Sequence, residues 1–163
     1  MIGNRRKYKT VQDAMNTWRD YMVSMGFGYK LGIDLPGEKR GLIPNAQFYD
    51  KAYKGSWNGL TIISISIGQG EVNLTPLQIA NLGATIANRG YYYTPHVVKN
   101  IKGEYLKPEF RERHYTKANR RAYDYIVAGM RKSALDGTCK MLSRYNFEPC
   151  GKTGTAQNRG HDH

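Results

Sequence analysis

Residues 151–157 read Gly151-Lys152-Thr153-Gly154-Thr155-Ala156-Gln157 and hold no bulky side chain. An aromatic and apolar approach from Tyr145 to Cys150 precedes them. On an extended strand, successive side chains alternate faces, so Lys152 and Gly154 point one way and Thr153 and Thr155 the other. A glycine inside a strand weakens it and marks a place where a ligand or another backbone comes close. The spacing therefore predicts a strand that offers backbone N–H groups, hydroxyls and one ammonium to an anionic or carbonyl-bearing ligand. The nucleotide-binding loop G-x-x-x-x-G-K-[ST] is excluded, because its first glycine would fall on Asn146. A glycine-rich turn without chemistry is the competing reading of these letters alone.

A chain of 163 residues suits about one domain. Its 25 basic and 13 acidic residues leave a net charge of +12, which permits an anionic partner. The basic residues are scattered along the chain, at Arg5, Arg6, Lys7 and Lys9, at Lys107, Arg111 and Arg113, and at Arg120, Arg121, Arg131 and Lys132. No nucleic-acid motif accompanies them, so they read as a solvated basic face and no nucleic-acid partner is expected. Two cysteines, Cys139 and Cys150, make neither a disulfide scaffold nor a zinc site; they read as packed free thiols, with pairing in an oxidising compartment as the alternative. His161 and His163 read as a solvated tail, and no metal is expected. No stretch is long and apolar enough to span a membrane.

Local signals place the helices. Thr10 and Asp13 open one as a capping box, and Val11, Ala14, Met15, Trp18, Tyr21, Met22 and Met25 follow at helical spacing until Gly26 and Gly28 stop it. Residues 26–60 read as mostly irregular, with turn signals at Leu35-Pro36-Gly37-Glu38 and Pro44-Asn45. Residues 61–68 alternate β-branched or apolar residues with serine. Thr75-Pro76-Leu77-Gln78 starts a second helix that Gly90 ends, and its small residues predict burial on most sides. Tyr91 to Thr94 and His96 to Ile101 read as short strands interrupted by Pro95, and residues 107–115 as an exposed loop. Thr116 is the expected cap of a helix over 117–135, with Ala118, Ala122, Tyr125, Ile126, Gly129 and Met130 on its inner side and Asp136-Gly137 at its end.

Six blocks then stand in one order: Gly32-Ile33-Asp34-Leu35-Pro36-Gly37-Glu38, Ser66-Ile67-Gly68-Gln69-Gly70, Leu74-Thr75-Pro76-Leu77-Gln78-Ile79-Ala80, Ile86-Ala87-Asn88-Arg89-Gly90, Pro95-His96, and Lys152-Thr153-Gly154-Thr155-Ala156-Gln157. In this order they resemble the class B penicillin-binding proteins, and among these the elongation transpeptidases. The resemblance covers nearly the whole chain. It implies an α+β architecture, part of the serine β-lactamase and penicillin-binding transpeptidase fold: an antiparallel sheet flanked by helices, plus a helical lobe, incomplete here. Residues 1–163 are then expected to form a partial transpeptidase domain, from after the S-x-N motif to just past K-T-G.

The resemblance also implies a function. The family cross-links peptidoglycan stem peptides ending in D-Ala-D-Ala through a serine acyl-enzyme, and β-lactams acylate the same serine. Carried over by position, Lys152 brings positive charge to the substrate carboxylate, and Thr153 and Thr155 hydrogen-bond it. Gly154 leaves room for the substrate backbone, and the Thr155 backbone N–H is one oxyanion donor. No cofactor is expected. A glycosyltransferase of the elongation machinery is the expected partner, on the periplasmic face of the bacterial inner membrane, where an N-terminal helix outside this chain anchors the parent protein.

The sequence departs from the family in one large respect. Its serines are Ser24, Ser56, Ser64, Ser66, Ser133 and Ser143, and none has lysine three residues later, so S-x-x-K is missing. The 163 residues alone are therefore expected to be inactive, unlabelled by penicillin, and weakly stable through unpaired strand edges. A penicillin-sensing or peptidoglycan-binding module on the same fold is the alternative function.

Overall fold

The computed structural model describes residues 4–103 and 106–154. The chain divides into two compact units, Met1–Asn119 and Arg120–His163.

In the first unit, α1 spans Val11–Ser24. The expected capping box is present: the Asp13 N–H donates to Thr10 Oγ1 (3.0 Å) and the Thr10 N–H to Asp13 Oδ2 (3.2 Å), satisfying two donors that a helix start leaves open. The helix stops where Gly26 turns to φ +88, and a Cβ there would lie 2.6 Å from Leu31 Cδ2, so only glycine fits. α1 buries Ala14 and Met15. Met15 joins Ala46, Tyr49, Trp57, Ile62 and Ile65 in the core, with Val11, Trp18 and Val72 packed around it.

The loop expected over 26–60 contains a helix. Asn45 accepts the Phe48 N–H at 2.8 Å and caps α2, Ala46–Ala52. What reads as a Pro-Asn turn is thus a helix start, and the helix is held by burying Ala46 and Tyr49 rather than by its own propensity. The Tyr49 ring packs 5.3 Å from Trp57, and its hydroxyl donates to Glu71 at 2.8 Å. Burial and the neighbouring Glu71 carboxylate push the Tyr49 phenol pKa above its ordinary value.

The serine alternation at 61–68 makes a 3-10 helix, Ile63–Ile67. Ser66 closes a local turn instead of facing a strand partner, its Oγ donating to Ile63 O at 2.6 Å.

α3 runs Pro76–Ala87 with the predicted cap, box and N-terminal proline. Its burial differs from expectation. The packed face carries Gln78, Asn81 and Thr85, while Ile79 is 56% exposed and Ala80, Gly83 and Ala84 are exposed beside it. Gln78 and Asn81 grip the carbonyls of Tyr29, Arg40 and Met25, whereas Thr85 bonds the Asn81 carbonyl of its own helix.

β1, Tyr91–Tyr93, pairs antiparallel with β2, Arg113–Tyr115, in the register Tyr91↔Tyr115, Tyr92↔His114, Tyr93↔Arg113. β2 lies in the stretch expected to be an exposed loop. Its charged residues are compatible with a strand because β2 is solvent-exposed along its length. The strand expected from His96 is not formed, because the N–H groups of Val97 and Val98 go to the Asp34 carboxylate and not to a ladder.

In the second unit, α4 spans Arg120–Asp136, later than the cap expected at Thr116. Its buried residues are Tyr123 and Ala134, whereas Tyr125 and Ile126 are exposed at 66% and 44%. The inward face is therefore rotated from the expected one. A short 3-10 helix, Lys140–Arg144, follows the turn at Gly137. Helices and a small antiparallel sheet together make a partial α+β fold.

Candidate functional site

Residues 149–151 are fastened to the second unit's own helices. The Gly151 N–H donates to Met130 O at 3.1 Å, and Arg131 Nη1 donates to Pro149 O at 3.0 Å. Gly151 sits so close to the 139–142 turn that a Cβ would lie 3.0 Å from Cys139 Sγ and 2.9 Å from Leu142 Cδ1. A larger residue there would lift the segment off its seat. Both thiols are free; Cys139 is buried as expected, whereas Cys150 is exposed rather than packed.

Beyond that seat the chain is open. Lys152, Thr153 and Gly154 are exposed. Lys152 Nζ donates to Thr153 O at 2.6 Å, so the ammonium folds over its own backbone. Among the described residues, nothing lies within 4 Å of where a Gly154 Cβ would be, which leaves room for a ligand to approach the backbone. The predicted strand is not formed at 151–154. A strand exists through its partner's hydrogen bonds, and the Gly151 N–H is spent on a helix carbonyl. Thr155, Ala156, Gln157, His161 and His163 lie outside the described residues. Chemically, the described segment offers an exposed ammonium and a hydroxyl to an anionic group. In the same unit, Ser133 Oγ lies 3.3 Å from Thr138 Oγ1.

The other sequence blocks build the first unit. Glu38 accepts the Leu31 N–H (2.5 Å) and the Gly32 N–H (3.0 Å), closing the turn-rich 31–38 loop on itself. Asp34 accepts the N–H groups of Val97 and Val98, each at 2.9 Å, and so ties that loop to the segment after β1. Gln78 is fully buried; its Nε2 donates to Tyr29 O (2.9 Å) and Arg40 O (3.0 Å), and its Oε1 accepts the Thr75 N–H (3.0 Å). The capping box signalled Gln78 at the helix start, but nothing in the sequence announced its two loop carbonyls. Arg131 and the Met130 carbonyl were equally invisible, since helical spacing names a face and not its target.

A pH dependence follows from Asp34. The backbone donors Val98 and Val97 hold its carboxyl below the ordinary value of 3.8. Because the folded pKa is depressed, the stabilisation is present above the unfolded value and is lost as pH falls through the folded one. Asp34→Asn should therefore flatten the acid limb of stability below about pH 4 and leave the neutral region less changed. Unfolding midpoints from pH 2 to 7 check this; parallel curves for both proteins would refute it.

Among the described residues, no group of three or more histidine, cysteine, aspartate or glutamate side chains could hold a metal, and no helix is long and apolar enough to cross a membrane.

Comparison with known proteins places this arrangement. The penicillin binding protein transpeptidase domain family matches residues 9–163. The peptidoglycan D,D-transpeptidase MrdA of Acinetobacter baumannii is 39% identical over 150 residues, covering 89% of this chain and 22% of that protein. The crystal structure of Pseudomonas aeruginosa PBP2 in complex with WCK 5153 superimposes with a TM-score of 0.75 at 30% identity, covering 88% of this chain and 33% of that one. A solved peptidoglycan synthase complex, described as coordinating polymerization and crosslinking, matches with a TM-score of 0.70 at 29% identity over 93% of this chain and 28% of that one. The chain thus spans between a fifth and a third of the length of these relatives. It belongs to the penicillin-binding protein transpeptidase domain family, among the members that resemble penicillin-binding protein 2.

Proposed function

We propose that the 163 residues form the K-T-G part of a peptidoglycan D,D-transpeptidase, whose serine nucleophile and general base come from residues outside this sequence. The observation that carries this reading is the exposed Lys152-Thr153-Gly154 segment, seated by Gly151 and Arg131, within a chain that matches the transpeptidase family over residues 9–163. A stem peptide ending in D-Ala-D-Ala brings a carboxylate. The Lys152 ammonium, released from the Thr153 carbonyl, attracts it, and the Thr153 hydroxyl, with that of Thr155, hydrogen-bonds it. The uncrowded Gly154 lets the peptide backbone lie close. The Thr155 N–H serves as one oxyanion donor when the serine attacks the penultimate D-alanine carbonyl. D-alanine leaves, and an amine of a neighbouring stem displaces the serine to form the cross-link. β-Lactams enter the same step and stay attached.

In this reading the parent protein is anchored at the periplasmic face of the inner membrane and works beside a glycosyltransferase. The match to a complex that coordinates polymerization and crosslinking supports that placement. Residues 1–163 belong to one transpeptidase domain, though they form two compact units by themselves.

Intact mass after incubation with a penicillin tests the proposal on the full-length parent and on the 163-residue chain side by side. One adduct on the parent and none on the short chain is expected. An adduct on the short chain would place a nucleophile within it. No adduct on a folded parent would move the function to a peptidoglycan-binding module without turnover.

A further inference from the structure

The β1–β2 ribbon has two unlike faces. Tyr92 and His114, directly opposite each other, stack at 5.0 Å on the inner face. There a Cβ on Gly26 would come within 3.4 Å of the Tyr92 ring, and His114 Nε2 lies 3.0 Å from Thr94 Oγ1. Alternation then puts Tyr91, Tyr93, Arg113 and Tyr115 together on the other face. The guanidinium of Arg113 lies 4.7 Å over the Tyr91 ring, and its Nε donates to Tyr93 Oη at 3.0 Å. Tyr91 is 5.8 Å from both Tyr93 and Tyr115, ring centre to ring centre. Tyr93 is 38% exposed and Tyr115 67%.

A cross-strand ladder accounts for Tyr91, which is half-buried. Tyr115 takes part in that ladder and bonds the Arg113 guanidinium, yet most of its ring surface stays in water. A guanidinium has five N–H donors, and the hydroxyls of Tyr93 and Tyr115 engage only part of that set. Three rings that offer apolar faces with hydroxyl rims, grouped around one guanidinium, suit a ligand that carries C–H faces and many oxygen acceptors. A saccharide has both. A polyanion would be better served by several cations, and this face has one.

Resting on the proposed function for the material concerned, we propose that the Tyr91–Tyr93–Arg113–Tyr115 face of the ribbon binds the glycan strand of peptidoglycan. Sugar rings lie on Tyr93 and Tyr115, and Arg113 donates to their oxygen substituents. The surface would hold the polysaccharide while the stem peptides react elsewhere.

The test uses the full-length parent protein and purified peptidoglycan glycan strands whose stem peptides have been removed by an amidase. Affinity is measured for the unaltered protein, Tyr93→Ala, Tyr115→Ala and Tyr115→Phe, with penicillin acylation and the unfolding midpoint followed in parallel. Each alanine variant should lose about tenfold in affinity at unchanged acylation, as expected for one lost aromatic contact. Tyr115→Phe, which keeps the ring, should retain most of the binding. Equal affinity for all four proteins, or no binding by the unaltered one, would overturn the proposal. So would binding that high salt abolishes and a linear RNA competes away, since that marks charge alone. No acylation of the unaltered protein, with its glycan binding and the losses of the alanine variants as expected, would count against the transpeptidase reading and leave this surface standing.

Discussion

Lys152→Ala in the full-length parent should slow acylation by penicillin by at least about 10²-fold, the typical cost of removing one preorganised electrostatic group from an acyl-transfer site. The unfolding midpoint should stay nearly where it was. Both halves of that expectation come from the same geometry. Lys152 is exposed, and its ammonium bonds the carbonyl of its own neighbour, Thr153, rather than a distant part of the fold. An exposed side chain of this kind contributes within about 0.5 kcal/mol to stability. Its contribution is instead to the approach and polarisation of an anionic acyl substrate, where the ammonium and the developing charge meet at short range. Rates of adduct formation by intact mass, read beside a thermal melt, separate the two effects. A slowed reaction with a lowered midpoint would assign Lys152 to structure. An unchanged rate would remove it from the site and leave Thr153 and Gly154 without the charge that makes the segment reactive. Lys152→Arg should recover only part of the rate, since a planar fork does not place its charge where a compact ammonium does.

The sequence made some of this legible and hid the rest for identifiable reasons. Caps are local, and both capping boxes stand where Thr10-Asp13 and Thr75-Gln78 announce them. The ordered blocks named the family, which the comparisons support. Local signals failed where long-range partners decide. Asn45 caps a helix and not a turn because Ala46 and Tyr49 have a core to enter. Val97 and Val98 have strand chemistry, yet their N–H groups are claimed by Asp34, 63 and 64 positions earlier. β2 was hidden by its charges, because an exposed ribbon strand needs no apolar alternation. The site shows the same division. Lys152 and Thr153 could be chosen by residue type, whereas their seat, built from Met130, Arg131 and Cys139, depends on contacts that no spacing encodes.

Gln78 is where that hidden layer should be most costly to remove. Gln78→Leu keeps a similar volume, so the cavity term that accompanies truncation stays small. What changes is polar. The carbonyls of Tyr29 and Arg40 lose their Nε2 donor and the Thr75 N–H loses its acceptor, in a place where Gln78 is fully buried. An unsatisfied buried group costs about 1–3 kcal/mol, and three groups partly relieved by water should together cost about 3–5 kcal/mol. The effect should also be local in origin. Gly41, beside the Arg40 carbonyl, has φ +62 and no room for a Cβ against Asn73 O and Gln78 Oε1, so the loop cannot shift inward to repair itself. Urea unfolding of the parent protein measures the total. Hydrogen exchange measures the place, with faster exchange expected at Leu42 and Asn73, whose backbone pairing lies next to Gly41. A loss below about 1 kcal/mol would mean that water reaches these carbonyls and that the 29–41 loop is held by Glu38 and the Leu42–Asn73 bridge instead. A large loss with exchange accelerated at those positions would make Gln78 the joint through which α3 holds the loop carrying the first of the family's blocks.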